Sequence, residues 1–312
     1  MNVNNIIFNE IIKRGYKLEG RTRIWDLSDS KLWYLTAKQS QNFLDVEEDP
    51  EYKKYLTNTE VNLIRNNLDF VLSKMKAKSY NVIDVGCGNG KKASLFIGEL
   101  SKHLNVRYCP IDISSYMVKT ASDTIRALNI GDVLEFNWNI SDFENLENVT
   151  SLFRNPNYKH HLMLFLGNTM GNFNHNHILE AIRRSMKKGD FLLIGNGIIS
   201  SVTEDLIKAY YNKAMINFWI QPMLLMGFKE SEVQYSVKFG NSRMEMYFTV
   251  LKDKLIKHID KTIEFKKGDQ VLVGISYKYT KTEFKKILAN FFTKVKISTD
   301  ENNTYSLALC IV

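Results

Sequence analysis

The chain has 312 residues, 44% of them hydrophobic, and its 42 Lys and Arg against 34 Asp and Glu give a formal charge of +8. This length and apolar content predict a globular protein that buries a core without disulfide bonds, and no apolar run reaches the roughly 18 residues of a membrane span. The basic residues are spread along the chain rather than clustered, so we expect solvated faces and no nucleic-acid partner.

The three cysteines, Cys87, Cys109 and Cys310, have no Cys-x-x-Cys spacing. This pattern argues against a zinc site and against a disulfide scaffold. Together with the lack of a signal-peptide layout, it favours a cytoplasmic protein with no metal and no membrane partner. The sequence leaves the oligomeric state open, and we take a monomer as the expectation.

The first predicted elements lie before residue 77. Isoleucines at near-helical spacing open residues 1–20, and residues 21–56 are rich in aromatic side chains. Thr57 then predicts a helix start, because Glu60 follows three residues later as in a capping box. An apolar face extends this helix to about residue 76.

From residue 80 onward, strands and helices alternate. Strands are predicted at about 80–85, 105–111, 132–136, 161–166 and 191–194, with helices at about 91–103, 114–128, 144–153 and 175–188. Buried strands alternating with helices predict a doubly wound parallel α/β sheet. After residue 198 we expect one long, mostly helical stretch at about 201–226, with Pro222 as the candidate break, and then strands of period two up to residue 279.

A helix at about 281–292 and two closing strands complete the chain. The change of pattern at residue 198 therefore predicts two domains. An α/β domain covers 57–197 plus 281–312. A second, α+β lobe that binds the substrate combines 1–56 with 198–280.

A glycine-rich turn follows the first buried strand, in the sequence Val-Ile-Asp-Val-Gly-Cys-Gly-Asn-Gly at 82–90. Glycines at alternate positions let the backbone approach a ligand at a helix start. The spacing differs from the dinucleotide fingerprint G-x-G-x-x-G. It resembles the first motif of class I S-adenosylmethionine (SAM) methyltransferases, which implies cofactor contacts at Asp84, Gly86 and Gly88. Another nucleotide fold and an ordinary strand–helix turn remain the alternatives.

Acidic side chains follow the next two strands. Asp112 lies where a carboxylate accepts hydrogen bonds from both ribose hydroxyls, although a helix N-cap is the simpler alternative. After the third strand, Asp142 is placed to accept the adenine amino group and Phe143 to pack on its ring. A polar loop with one buried aromatic explains this second pair equally well.

The loop after strand 4 reads Phe-Leu-Gly-Asn-Thr-Met-Gly-Asn-Phe at 165–173. It lacks the Asn/Asp-Pro-Pro-Tyr/Phe motif of many nucleobase amine methyltransferases. Asn172 offers an uncharged donor and acceptor suited to a small amine or carboxylate. A structural turn with an asparagine at positive φ is the alternative.

This loop resembles Phe-Leu-Gly-Ser-Thr-Ile-Gly-Asn, a hallmark of the SAM-dependent histidine Nα-methyltransferase family of ergothioneine biosynthesis. Similar segments extend over roughly residues 30–312. They are Trp33-Tyr34, Pro50-Glu51-Tyr52, Thr57–Glu60, Pro110–Asp112, Asp142–Glu144, Lys208–Tyr210, Met244–Met246 and Ser276–Tyr279.

The resemblance implies a role for each matching residue. Its cofactor contacts are Gly86, Lys92, Asp112, Asp142, Phe143 and Gly167. Its amino-acid site comprises Tyr34, Gly167, Asn172, Tyr210, Met246 and Ser276, with Asn172 and Tyr34 as the residues that act on the amine. Two registers stay open: Leu35 is the alternative to Tyr34, and the tyrosine before the Thr-x-Thr-Glu motif is either Tyr52 or Tyr55.

One position departs from the family. Two residues before the matching Ser276, the histidine enzymes carry a Glu that pairs with the imidazole, whereas this chain has Gly274. Losing that carboxylate removes a charge-assisted hydrogen bond of about 1.5–3 kcal/mol and is expected to leave room for a bulkier side chain. We therefore expect a SAM-dependent N-methyltransferase for an amino acid or derivative other than histidine, with a tryptophan-like substrate as one candidate. Histidine itself, a nucleic-acid acceptor and a non-catalytic SAM-binding protein are the alternatives.

Overall fold

The structure is a computed structural model that describes residues 3–135 and 143–312, without the side chains of Val3, Tyr55 and Asp205. The chain divides into two compact units. The five-stranded unit comprises Met1–Asp49 and Val202–Tyr277, and the α/β unit comprises Pro50–Ser201 and Lys278–Val312.

Helices and strands are numbered in chain order. The helices are α1 (Val3–Arg14), α2 (Ala37–Glu48), α3 (Pro50–Tyr52), α4 (Asn58–Lys74), α5 (Lys91–Leu100), α6 (Ser115–Arg126), α7 (Leu146–Leu152), α8 (His175–Ser185), α9 (Glu204–Lys208), α10 (Lys213–Trp219), α11 (Gln221–Leu225) and α12 (Lys281–Ala289). The strands are β1 (Tyr16–Glu19), β2 (Thr22–Asp26), β3 (Ser79–Val85), β4 (Asn105–Ile111), β5 (Asp132–Val133), β6 (His160–Phe165), β7 (Phe191–Gly197), β8 (Val233–Gly240), β9 (Arg243–Val250), β10 (Lys254–His258), β11 (Lys261–Phe265), β12 (Gln270–Tyr277), β13 (Lys294–Thr299) and β14 (Tyr305–Ile311).

The α/β unit is built on a seven-stranded sheet in the order β13-β14-β7-β6-β3-β4-β5. Strands β3 to β7 run parallel, while β14 is antiparallel to both β7 and β13. The central strands β6 and β7 are almost wholly buried, as expected where helices cover both faces of a parallel sheet. Counted within this unit, the order is 3-2-1-4-5-7-6, which confirms the predicted doubly wound, class I methyltransferase sheet.

The start of α4 differs from the predicted capping box. The chain passes from α3 into α4 through a π-helical turn at Lys53–Thr57, and Thr57 itself is helical with φ −62° and ψ −49°. Because the helix already begins upstream at Pro50, Thr57 caps nothing, and the N-cap prediction is wrong. The Glu60 side chain instead turns into the interior, where it is buried.

The five-stranded unit has the sheet order β1-β2-β12-β9-β8 and a separate hairpin, β10-β11. Strand β12 is parallel to β2 and antiparallel to β9, with a register shift between Leu272 and Gly274. Ile24, Tyr247, Leu272 and Ile275 pack together in one hydrophobic cluster of this unit.

The predicted helix at 201–226 is interrupted. The structure has three short helices there, α9, α10 and α11, instead of one. Pro222 lies in the first turn of α11, where a missing backbone N–H costs no intrahelical hydrogen bond. The apolar spacing of this stretch is helical, and the candidate break at Pro222 lies close to the junction of α10 and α11 at Ile220. The break between α9 and α10 is not indicated by the spacing.

Candidate functional site

The glycine loop between β3 and α5 brings backbone close to the loop after β6. Gly86, Gly88 and Gly90 all have positive φ, at 73°, 52° and 72°. A Cβ on Gly86 would lie 3.2 Å from Thr169 Cγ2 and 3.7 Å from Phe143 Cζ. A side chain at residue 86 would therefore intrude where these two loops meet, and its absence leaves backbone exposed to a ligand.

Two buried carboxyls lie at the ends of neighbouring parallel strands: Asp84 is one residue before the end of β3, and Asp112 follows β4. Asp84 Oδ2 accepts a hydrogen bond from the Tyr108 hydroxyl at 2.8 Å, and burial raises the pKa of Asp84 to about 7. Asp112 accepts from the backbone N–H of Ser114 at 3.0 Å and of Gly88 at 3.4 Å, and burial raises its pKa to about 6.

The helix α6 takes its cap from another residue. Ser114 is its N-cap and accepts a hydrogen bond from the Met117 N–H. The Asp112 side chain is therefore not needed as the cap. Its bond to Gly88 places it beside the glycine loop, where the ribose role predicts it.

A buried Glu60 links several candidate residues, a role that the sequence prediction missed. Its Oε1 accepts from the Gly167 N–H at 2.9 Å and from the Tyr305 hydroxyl at 2.6 Å, while Lys92 Nζ lies 3.3 Å from Oε2. A Cβ on Gly195 would collide with this carboxylate. We call these residues, without Gly195, the Glu60 network.

A signal for this network exists in the sequence. Glu60 lies three and four residues before Leu63 and Ile64, and all three are buried on one stripe of α4. A carboxylate on a buried stripe needs partners. The capping-box pattern offers a simpler explanation of Glu60, and the sequence prediction therefore missed its role as a buried carboxylate.

The loop that follows β6 contains two asparagines with different roles. Asn168 has φ 63°, and its Oδ1 accepts from the Gly197 N–H at 2.9 Å, so it is the asparagine that builds the turn. Asn172 ends a 3₁₀ turn and is half-buried. Within residues 3–135 and 143–312 its amide makes no hydrogen bond, which leaves both of its polar atoms for a ligand.

Among the remaining candidates of the α/β unit, Phe143 packs on Phe165 and Phe173 with ring centroids 5.9 and 5.1 Å apart. Asp142 lies outside the described residues. Burial, then Glu60 and Tyr52, raise the pKa of Tyr305 well above its ordinary value, which places Tyr52 near the Glu60 network. The backbone of residue 55 belongs to the π-helical turn, but its side chain is not among those described.

The five-stranded unit brings several predicted substrate residues together. Gly274 on β12 is directly opposite Met246 on β9, and Ser276 is opposite Met244. The indole of Trp219 covers Gly274: a Cβ at residue 274 would lie 2.6 Å from Cη2 and 2.7 Å from Cε3. The expectation that Gly274 leaves open room is therefore wrong, because Trp219 fills that space.

Tyr34 belongs to a group of rings in the same unit. Its centroid lies 5.5 Å from that of Phe43 and 5.7 Å from that of Phe218, which lies 4.6 Å from that of Trp219. Trp33 packs edge-on against Trp219 at 4.8 Å. We call Trp33, Tyr34, Phe43, Phe218 and Trp219 the aromatic cluster. It connects the predicted positions Tyr34 and Gly274.

Tyr210, the last predicted substrate residue, is buried after α9. It lies close enough to Tyr235 to raise the pKa of that phenol, after the larger effect of burial. The structure thus places Tyr210 beside β8, while Met246, Gly274 and Ser276 lie on β9 and β12.

Residues 27–312 match the family described as histidine-specific methyltransferase, SAM-dependent. The chain belongs to this family. It is therefore a SAM-dependent methyltransferase, as the sequence resemblance predicts, and the match spans both units. No curated protein matches the chain at a significant level.

Solved structures with a similar fold have low sequence identity. A protein from Pyrococcus horikoshii OT3, PH0226, is 13% identical, with 84% of this chain and 98% of that chain covered and a TM-score of 0.44. DesVI from Streptomyces venezuelae is 10% identical, with 89% and 98% covered and a TM-score of 0.39. Human N-acetylserotonin methyltransferase in complex with SAM is 12% identical, with 99% and 81% covered and a TM-score of 0.39.

The α/β unit of this methyltransferase fits the cofactor of its family. The side-chain-free surface at Gly86, the Asp112 carboxyl at Gly88 and the amine of Lys92 at Gly167 offer an open backbone, an acceptor for ribose hydroxyls and a partner for a carboxylate. When bound, SAM supplies an activated methyl group on a sulfonium.

In the described part of the chain, no group of three or more His, Cys, Asp or Glu is arranged to hold a metal ion. No described helix combines the length and the apolar character that crossing a bilayer requires.

Proposed function

We propose that this methyltransferase acts on the α-amino group of a free amino acid or amino-acid derivative other than histidine. The observation that carries the proposal is Gly274 with Trp219 packed over it. At the position where the sequence resemblance places an imidazole-reading carboxylate, this chain has an apolar ring. A polar reader discriminates strongly only while its polar group is present.

No neighbouring carboxylate on β9 compensates for the missing one. Glu245 is next to Met246 in sequence, and successive strand residues point to opposite faces of a sheet. Its oxygens accept from Arg243 Nε and from the Tyr247 hydroxyl, both at 2.7 Å. Glu245 is therefore committed to an ion pair on the face away from Met246.

Asn172 is the residue that we assign to the reacting amine, together with Tyr34. An amine attacks only as its neutral form, because an ammonium has no lone pair. The Asn172 carboxamide can accept from an amine N–H and hold the nitrogen in one orientation, which supplies the approach geometry that methyl transfer requires. The proton released on attack passes to water, and no strong base is required.

The other assignments follow the two units separately. In the α/β unit, the Gly167 backbone and Tyr52 or Tyr55 are proposed to bind the amino-acid backbone. In the five-stranded unit, Tyr210, Met246, Ser276 and the aromatic cluster are proposed to bind its carboxylate and side chain. The cofactor contacts are proposed at Asp84, Gly86, Gly88, Lys92, Asp112, Asp142, Phe143 and Gly167.

The test is an acceptor screen by mass spectrometry. Purified protein and SAM are incubated with each free amino acid and, as a matched control, with its Nα-acetyl derivative. We expect a product heavier by one or more methyl groups from a free amino acid other than histidine and none from its acetylated form. Methylation of acetylated amino acids, of histidine alone or of RNA would contradict the proposal.

A further inference from the structure

The orientation of Trp219 fixes where its polar atom lies. The atoms nearest to a Cβ at residue 274 include Cη2 and Cε3, which belong to the six-membered ring. In an indole, the N–H lies on the five-membered ring at the other edge. Trp219 therefore turns its apolar edge to Gly274 and its N–H away from β12.

Two indole N–H groups in the aromatic cluster are buried without a hydrogen-bond partner. Nε1 of Trp33 and Nε1 of Trp219 both lack an acceptor among the residues that the structure describes. The side chains are 2% and 6% exposed, and their rings meet at an interplanar angle of 87°. Buried donors in folded proteins are almost always paired, and an indole can only donate.

The same unit does pair another buried indole. Trp25 is 7% exposed, and its Nε1 donates to Asp269 Oδ2 at 3.0 Å. The five-stranded unit thus supplies a carboxylate for Trp25 and leaves the two donors of the aromatic cluster unmatched. A bound ligand can supply the acceptor that the described residues do not.

We propose that the N–H groups of Trp33 and Trp219 donate to the side chain of the substrate, so that the enzyme selects an amino acid whose side chain carries an oxygen acceptor. This inference rests on the proposed function, because it identifies the aromatic cluster as the reader of the side chain. The direction of the hydrogen bond to the substrate side chain is then opposite to that in the histidine enzymes. There a carboxylate accepts a hydrogen bond from an imidazole N–H, whereas here an indole donates one. An imidazolium has two donors and no acceptor, so it cannot pair with these N–H groups.

The acceptor reaches these donors only after a movement of the rings. Trp219 is the last residue of α10, and Ile220 joins it to α11, so a shift at this junction moves the indole. Binding is therefore expected to change the environment of both N–H groups. This change can be measured without turnover.

The kinetic test uses substrate pairs that differ by one oxygen acceptor, tyrosine against phenylalanine and glutamine against leucine. In the wild-type enzyme we expect kcat/KM to favour the oxygen-bearing member by about 5- to 150-fold, the range that corresponds to one to two buried donors finding a partner. Trp219→Phe and Trp33→Phe should each reduce this preference, read as the ratio of the two kcat/KM values within one variant. Trp25→Phe, which removes a paired indole of the same unit, is the matched control and should keep the preference.

The binding test is a titration of the indole ¹H–¹⁵N resonances with the same amino acids, with each resonance assigned from its Phe variant. We expect the Trp33 and Trp219 signals to shift downfield with oxygen-bearing ligands and the Trp25 signal to stay in place. Turnover of an amino acid without these shifts overturns this inference and leaves the proposed function intact. Shifts without any methylated product support the inference and contradict the proposed function. A panel that neither reacts nor shifts the signals overturns both.

Discussion

The Glu60 carboxylate accepts a hydrogen bond of 2.9 Å from the backbone N–H of Gly167 and so joins helix α4 to the loop that follows β6. The same oxygen accepts from Tyr305, and Lys92 lies beside the other oxygen. One buried side chain therefore orients a predicted cofactor contact and the start of the Asn172 loop. Glu60 is a positioning residue, since it acts through these neighbours.

Removing the Glu60 carboxylate should destabilise the protein and weaken SAM binding. Glu60→Ala removes the acceptor of the Tyr305 hydroxyl and of the Gly167 N–H, and it removes the ion pair between Glu60 and Lys92. We expect a loss of about 3–5 kcal/mol in the free energy of unfolding. Urea denaturation measures this loss, and calorimetry measures the accompanying rise in Kd for SAM.

Tyr305→Phe is the milder control for the same network. It removes one neutral donor and keeps the carboxylate, so the expected loss is about 1 kcal/mol. An equal effect of the two variants would show that the Glu60 contacts to Gly167 and Lys92 contribute nothing.

A side chain at residue 274 should be tolerated only when Trp219 is trimmed. Gly274→Ala places a Cβ inside the indole ring and should cost about 1–3 kcal/mol as an overpacked core. Trp219→Ala alone leaves a cavity and costs about 3–5 kcal/mol. In the double variant the alanine at residue 274 should add almost no further cost. Thermal denaturation of the four proteins measures the coupling between the two residues, and strictly additive losses would contradict the observed packing.

The same contact predicts the outcome of restoring the family's carboxylate at residue 274. Gly274→Glu by itself should not raise histidine turnover, because the new carboxylate has no space beside Trp219. Gly274→Glu combined with Trp219→Ala should raise kcat/KM for histidine relative to Trp219→Ala alone. Mass spectrometry of the methylated product measures this gain. A gain from Gly274→Glu alone would contradict this prediction, because it would show that the Trp219 ring moves aside at little energetic cost.

The contribution of Asp84 to the stability of the ligand-free protein should fall as the pH rises from about 4 to 7. Burial raises the pKa of Asp84 from 3.8 to about 7, so the folded state holds this proton more tightly than the unfolded state does. Its contribution is full below pH 4 and is lost as the pH passes 7. Thermal denaturation across this range should give the wild type a more negative slope of stability against pH than Asp84→Asn, and an identical slope in both proteins would refute the assignment.

Binding of SAM should have the opposite pH dependence. The cofactor is cationic at its sulfonium and ammonium, and a nearby positive charge favours ionised carboxylates at Asp84 and Asp112. Affinity should therefore rise between pH 6 and 8, with release of protons that calorimetry in two buffers detects. S-adenosylhomocysteine, which lacks the sulfonium charge, should show a smaller rise.

The sequence predicts the α/β sheet well because its signals are local. The run from Val82 to Gly90 contains a buried strand, an acid and three glycines whose spacing already defines the turn. Asp112 and Asn172 follow strands whose ends meet at one edge of a parallel sheet. Local patterns of this kind do not depend on distant partners.

Contacts between distant residues account for what the sequence does not predict. Trp219 and Gly274 are 55 positions apart, and no local sequence pattern around either residue indicates that the two are in contact. Glu60 and Tyr305 are farther apart still, and a plausible capping pattern at Thr57 gives Glu60 a different role. The first pair includes the predicted substrate residue Gly274, and Glu60 contacts the predicted residues Gly167 and Lys92. The sequence therefore identifies the reaction class more readily than the substrate.

The central claim is that this enzyme methylates an amino acid other than histidine. The most direct measurement is a competition in which SAM is limiting and histidine is mixed at equal concentration with the best acceptor from the screen, with both products counted by mass spectrometry. We predict that the non-histidine product exceeds methylated histidine. Trp219→Phe should lower the ratio of the non-histidine product to methylated histidine. Methylated histidine as the major product would contradict the account.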